Sequence, residues 1–278
     1  MSFLVLVLVM LAEKFSSLRA RVQRDGAWLR LLARLEQRGG EGNAAWLHLG
    51  LLVLGPALLL GLLLWLLHPL AYGWLALPVH VLVVIYALGR GDVPGQMGPF
   101  RDAWRRGDTQ AAWLAGQRDL ALEEGESDVL LVARRWLVWQ AHQSFFVVIF
   151  WYALLGPVPA LVYRLLALTE SHAQHPALRE RAALLRHALD WLPARALVAT
   201  FAFVGNFVAV GRVLAHELLN WEGSAARLLD EAAAAAEHWP AASPSGEAGV
   251  AQLDDLWQLL VRSAMLWYAT FAVWVLVI

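Results

Sequence analysis

Trp46-Leu47-His48-Leu49-Gly50-Leu51-Leu52-Val53-Leu54-Gly55-Pro56-Ala57-Leu58-Leu59-Leu60-Gly61-Leu62-Leu63-Leu64-Trp65-Leu66-Leu67 decides the class of this chain. The stretch contains no Asp, Glu, Lys or Arg. Wound as a helix at about 1.5 Å per residue, it covers the ~30 Å hydrocarbon core of a bilayer. Pro56 would break a soluble helix, but lipid-embedded helices tolerate it. Past it, His68-Pro69-Leu70 reads as an uncharged turn, and Ala71 to Leu88 returns with Pro78 and His80 inside, stopping at Gly89-Arg90-Gly91-Asp92. Residues 46–88 therefore predict a transmembrane hairpin with both ends cytoplasmic.

Composition agrees. The 278 residues are 59% hydrophobic and 16% charged, against about 45–50% and about 25% in soluble domains. Several of the 15 Trp residues stand at the ends of apolar runs (Trp46, Trp65, Trp74, Trp151, Trp267), where indole rings favour the headgroup level. A net charge of -1 offers no basic footprint, so no nucleic-acid partner is expected. The absence of cysteine excludes disulfides, thiolate metal sites and a cysteine nucleophile. The sole lysine is Lys14, so no Walker-type phosphate loop exists.

Working outward toward the N-terminus, residues 1–14 form a short apolar helix ended by Glu13-Lys14. It lacks a basic leader and a small-residue cleavage site, so it is not expected to be removed as a signal peptide. Phe15 to Asn43 carries Arg19, Arg21, Arg24, Arg30, Arg34 and Arg38, with Trp28, Leu31, Leu32 and Leu35 at helical spacing. That pattern predicts an amphipathic helix on the cytoplasmic membrane surface.

Toward the C-terminus, residues 90–142 read as cytoplasmic helices rich in arginine, interrupted by the acidic turn Glu123 to Asp128. Residues 143–214 read as broken membrane elements plus a polar helix. Gly156-Pro157-Val158-Pro159 splits Phe145–Leu168 into two halves, and a single crossing would place Arg179, Arg181, Arg186 and Arg195 outside. A re-entrant element entering and leaving on one face avoids that. Leu197–Val213 is interrupted by Gly205-Asn206 and Gly211-Arg212. Residues 215–255 read as a cytoplasmic loop and helix, and residues 256–278 as a C-terminal transmembrane helix. The expectation is one all-α, polytopic integral membrane domain, with soluble segments mostly cytoplasmic.

Chemistry-bearing groups are sparse. Glu170, His172 and His175 have the spacing of a metal site, yet they read as solvated loop, and neither a metal nor a catalytic residue is expected. Arg164 stands inside an apolar run. It snorkels to headgroups, pairs structurally with Glu170, or contacts an anionic ligand beneath the broken helix. In the last case Glu170 is its counter-charge, and Gln140, Gln143 and Asn206 are polar lining. The ligand would be an anionic small molecule or a lipid. No other cofactor is implied.

The stretch Phe150-Trp151 to Gly156-Pro157-Val158-Pro159-Ala160-Leu161-Val162-Tyr163-Arg164, then Thr169-Glu170-Ser171 and Asp190-Trp191-Leu192-Pro193-Ala194-Arg195, resembles the CobD/CbiB family of cobinamide-phosphate synthases. Within that superfamily it is most similar to the AmpE family of inner-membrane proteins, named for β-lactamase induction. The resemblance adds Tyr163 and Arg195 to the candidate ligand-binding residues. It also carries a departure: the synthases' E-N-x-x-D acids fall on Trp139, Gln140 and Gln143, and only the later acid survives, as Glu170. Metal-bound phosphates need oxygen-rich acidic ligands. The resemblance therefore implies a regulator of the bacterial inner membrane acting in the β-lactam or cell-wall stress response without catalysis. Its partners would be membrane lipids and an unidentified ligand or protein. The alternatives are a transporter or lipid-binding scaffold, and, less favoured by these residues, a synthase-like enzyme.

Overall fold

The computed structural model describes residues 4–9, 22–23, 25–37, 43–69, 74–89, 93–120, 122, 128–239 and 244–277. Every regular element among them is helical. Beyond a helical stretch at 4–9, the main helices are α1 (Gly26–Glu36), α2 (Asn43–Leu67), α3 (Ala76–Ala87), α4 (Gly98–Arg105), α5 (Thr109–Asp119) and α6 (Val129–Ala141). They continue with α7 (Val147–Leu155), α8 (Pro157–His172), α9 (Pro176–Val204), α10 (Phe207–Glu217), α11 (Ala225–Glu237) and α12 (Glu247–Val277). Much of the expected basic segment, including Arg19, Arg21, Arg24 and Arg38, lies outside the described residues, as do Arg90-Gly91-Asp92 and Glu123 to Ser127. Packing divides the chain into two compact units: Met1–Arg90 with Val147–Asp190, and Gly91–Phe146 with Trp191–Ile278.

In the first unit α8 packs against α2, α3 and α7. Its Leu165, Leu166 and Leu168 join Trp28, Leu32 and Leu35 of α1, Leu49, Leu52 and Val53 of α2, and Leu178 and Ala182 of α9. The buried positions of α2 (Ala45, Leu49, Leu52, Val53, Ala57 and Leu60) form one stripe at helical spacing. The other faces carry bare leucines: Leu47, Leu51, Leu54, Leu58, Leu59, Leu62 and Leu66 are all more than half exposed. At ~1.5–3 kcal/mol per leucine, leaving that face in water forgoes on the order of 10 kcal/mol. Trp46, Trp65 and Trp74 are exposed with it, whereas Trp151 turns inward and donates from Nε1 to the Leu189 carbonyl at 3.0 Å.

The return limb differs from its expectation. Helix α3 has 12 residues rather than the eighteen of 71–88, and residues 70–73 lie outside the described set. Twelve residues rise ~18 Å, short of a full crossing. His80 of α3 bonds the Tyr152 hydroxyl through Nδ1 at 3.1 Å.

The broken middle element also differs. The helix that ends at Gly156 does not start near Phe145: α6, a π turn at His142–Phe146 and α7 run on as Val129–Leu155, 27 residues. Asp128, at the end of the expected acidic turn, caps its start, but Arg134 and Arg135 disguise its continuity with the apolar segment. In the second unit Arg134 donates to Gln252 at 3.4 Å and lies over the Trp239 ring, while Arg135 pairs with Asp230 at 2.9 Å. The break itself is backbone chemistry. Gly156 sits at φ 86, a conformation costly for any side chain, and Pro157 follows at the first position of α8.

Helix α9 fuses what read as a polar helix and a separate apolar run, with Pro193 inside it. It stops at Gly205, where a Cβ would come within 2.8 Å of the Ala236 Cβ on α11. Asn206 then caps α10, its side chain accepting from Ala209 N at 3.0 Å. The core of the second unit is built from Phe100, Leu130, Leu137, Leu197, Phe201, Val210, Leu229, Ala233, Leu256 and Leu259. The last helix, α12, spans 31 residues and starts nine residues before the expected anchor at 256. Two helical stretches among the described residues are long and apolar enough to cross a membrane: Ala44–Leu67 and Val129–Leu155.

Candidate functional site

In the first unit, Tyr163 and Glu170 lie seven residues apart on one face of α8, and Arg186 and Asp190 lie four apart on α9. The four side chains meet. Tyr163 donates its hydroxyl to Asp190 Oδ1 at 2.8 Å. Arg186 donates from Nε to Asp190 Oδ2 at 3.4 Å and from a terminal nitrogen to Glu170 Oε2 at 2.7 Å. Tyr163, Arg186 and Asp190 are buried, whereas the Glu170 side chain is 31% exposed. The guanidinium thus bridges a sealed carboxylate and one that reaches the surface.

Arg164, about a third of a turn around α8 from that face, takes Asp25 rather than Glu170. It donates to Asp25 at 3.3 Å, at the start of α1, and both side chains are largely buried. Glu170 belongs to Arg186 and Asp25 to Arg164, so the pairing of Arg164 with Glu170 is corrected by the packing of α1 and α9 on α8; the two side chains stand about 120° apart around the helix.

The remaining candidates belong to the second unit. Gln143 donates to Gln140 Oε1 at 2.5 Å across the π turn. Asn206 is the cap of α10 and contacts His238. Arg195 donates to four backbone carbonyls: Trp191 at 3.0 Å, Glu217 at 2.9 Å, Leu218 at 2.9 Å and Asn220 at 2.6 Å. Its guanidinium also lies over the Trp191 ring, 4.0 Å from the centroid. The Trp191-Leu192-Pro193-Ala194-Arg195 box is therefore a clamp that ends α10 and shapes the loop after it. Asn220 tightens that loop by donating to Glu217 and accepting from the backbone N–H groups of Glu222 and Gly223.

Arg186, Asp190 and Asp25 were absent from the candidates read off the sequence. The i, i+4 spacing of Arg186 and Asp190 was a usable signal, since helical neighbours of opposite charge pair. Nothing local announces Asp25, whose partner is 139 positions away. Glu170, His172 and His175 form no three-ligand group among the described residues. His172 instead bonds the Leu168 carbonyl at 3.0 Å.

These features define a helical protein with two stretches of membrane-spanning length, organised around buried ion pairs. The match to known families is specific: the chain belongs to the AmpE family, described as regulatory signalling modulator protein AmpE, which matches residues 1–216. The match ends in the last turn of α10, so α11 and α12 lie beyond it. No curated protein and no solved structure matches the chain.

Proposed function

We propose that this chain is a multi-pass regulator of the bacterial inner membrane that relays β-lactam or cell-wall stress to β-lactamase induction, without catalysis. Membership of a family of regulatory signalling modulators carries the reading. The outward leucines of α2 support its place in lipid, since apolar faces of this size do not persist in water. The Tyr163–Asp190–Arg186–Glu170 cluster is the signalling site. Glu170 occupies Arg186 from the exposed side, so an anionic ligand reaches the guanidinium by displacing that carboxylate.

The test is induction of β-lactamase by a sub-inhibitory β-lactam in cells carrying Glu170→Gln or Arg164→Ala, with membrane protein level measured in parallel. Loss of induction by Glu170→Gln at normal protein level supports the site. Arg164→Ala tests the second buried pair, and wild-type induction in both variants refutes a signalling role for these residues.

A further inference from the structure

Within the second unit, an apolar surface runs from the end of α9 along α10 into the loop that follows. Phe203 and Phe207 lie with ring centroids 6.0 Å apart, and both are exposed. Val208, Leu218, Leu219 and Trp221 continue the surface, with Leu219 85% exposed. Helix α10 uses its other side to pack on α11, burying Val210. Its outer side also carries the exposed Arg212 and His216.

The level of this surface is set by α12. Trp267 Nε1 donates to Thr200 Oγ1 at 2.7 Å, and Arg262 donates to the Val204 carbonyl at 3.3 Å. The end of α9 is thereby fastened to α12 where that helix leaves the core: Ser263 is fully buried, and Met265 is already 65% exposed. Beyond that point α12 shows Val273, Trp274 and Val277 outward. Two apolar surfaces that emerge at one level of one unit require the same solvent.

We propose that α10 and its flanks, Phe203 to Trp221, lie in the plane of the membrane interface as a docking surface for the bilayer, rather than crossing it. Eleven helical residues are too short to cross. Aromatic and aliphatic side chains with arginine and histidine at the margin suit the headgroup–acyl boundary, where such a face sinks ~5–10 Å. The Arg195 clamp then has a purpose: it fixes the backbone at Leu218 and Asn220, from which the exposed Leu218, Leu219 and Trp221 project at the end of α10. This inference rests on the membrane reading above.

The chain lacks cysteine, so single nitroxide labels report positions cleanly. Val208→Cys, Leu219→Cys, Leu58→Cys and Glu231→Cys are labelled in the full chain and placed in nanodiscs of phosphatidylcholine and phosphatidylglycerol. Accessibility to oxygen and to a water-soluble nickel chelate is then read by electron paramagnetic resonance. The expected oxygen-to-chelate ratio at 208 and 219 is several-fold above that at 231, which lies on the charged face of α11. Ratios at both positions equal to that at 231 overturn the proposal, and so does spin–spin broadening from a second copy seated on this face. Leu58 separates the two failures. A lipid-like ratio at 58 with aqueous 208 and 219 defeats this inference alone, whereas an aqueous ratio at 58 defeats the membrane reading itself.

Discussion

Tyr163 donates its hydroxyl hydrogen bond to Asp190 across 2.8 Å, tying α8 to α9 through two side chains almost sealed from water. Asp190 accepts from Arg186 on its other oxygen, and Arg186 in turn donates to Glu170. Removing one member of such a chain strands the others, which costs more than the bond removed.

Tyr163→Phe leaves the carboxylate one donor short and lowers stability by ~1–3 kcal/mol. Asp190→Ala leaves the buried Arg186 with Glu170 as its remaining carboxylate and costs ~3–5 kcal/mol. Thermal unfolding in detergent measures both. An unchanged midpoint for Tyr163→Phe would show that the hydrogen bond does not hold the unit together.

Arg195→Lys preserves the charge and loses the geometry. An ammonium cannot reach four carbonyls spread over Trp191, Glu217, Leu218 and Asn220, nor stack flat on the indole. Amide hydrogen exchange is expected to rise in residues 218–223 and to stay unchanged in α4 and α5. Equal protection of the loop in both proteins would contradict the clamp.

Two glycines break helices for different reasons, and substitution separates them. A Cβ at Gly156 meets nothing within 4 Å, so Gly156→Ala costs only the backbone strain of φ 86 with ψ -163, a region essentially reserved for glycine, ~1–3 kcal/mol. Gly205→Ala instead meets the Ala236 Cβ at 2.8 Å. Pairing it with Ala236→Gly is expected to restore part of the lost stability, while the same partner does nothing for Gly156→Ala. Additive losses for the 205–236 pair would rule out the close approach.

The Asn220 amide donating to its carboxylate holds Glu217 below the ordinary carboxylate range, with a smaller contribution from His216. A carboxyl group whose pKa is depressed by folding stabilises the fold above its unfolded value and loses that contribution as pH falls through the folded one. The loop after α10 is therefore expected to loosen below about pH 4.5, the unfolded value. Asn220→Ala removes the main cause of the depression, so the rise in protease sensitivity of residues 218–223 between pH 7 and pH 3 is expected to be smaller than in the parent protein. An equally large rise in the variant would clear Asn220 of this role.

How much of this was legible in the sequence depended on the range of the interaction. The uncharged run 46–67 and the glycines at 156 and 205 announced an apolar helix and two breaks, because hydropathy and backbone freedom are properties of single residues and their near neighbours. The cap at Asp128 was legible, but that α6 runs on into the apolar segment was hidden, since Arg134 and Arg135 look like surface charges until Gln252 and Asp230 are placed against them. The candidate site divided along the same line. Tyr163 and Glu170 could be put on one face of α8 by counting, but whether Arg164 or Arg186 neutralised Glu170 depended on which helix packed there. Likewise Arg195 reads as a ligand contact until Leu218 and Asn220 fold back on it. Sequence alone determined the helical, membrane-length character of this protein, because burial in lipid requires only local apolarity. Tertiary structure decided which charges meet, because ion pairs between residues as far apart as Asp25 and Arg164 exist only once the chain has folded.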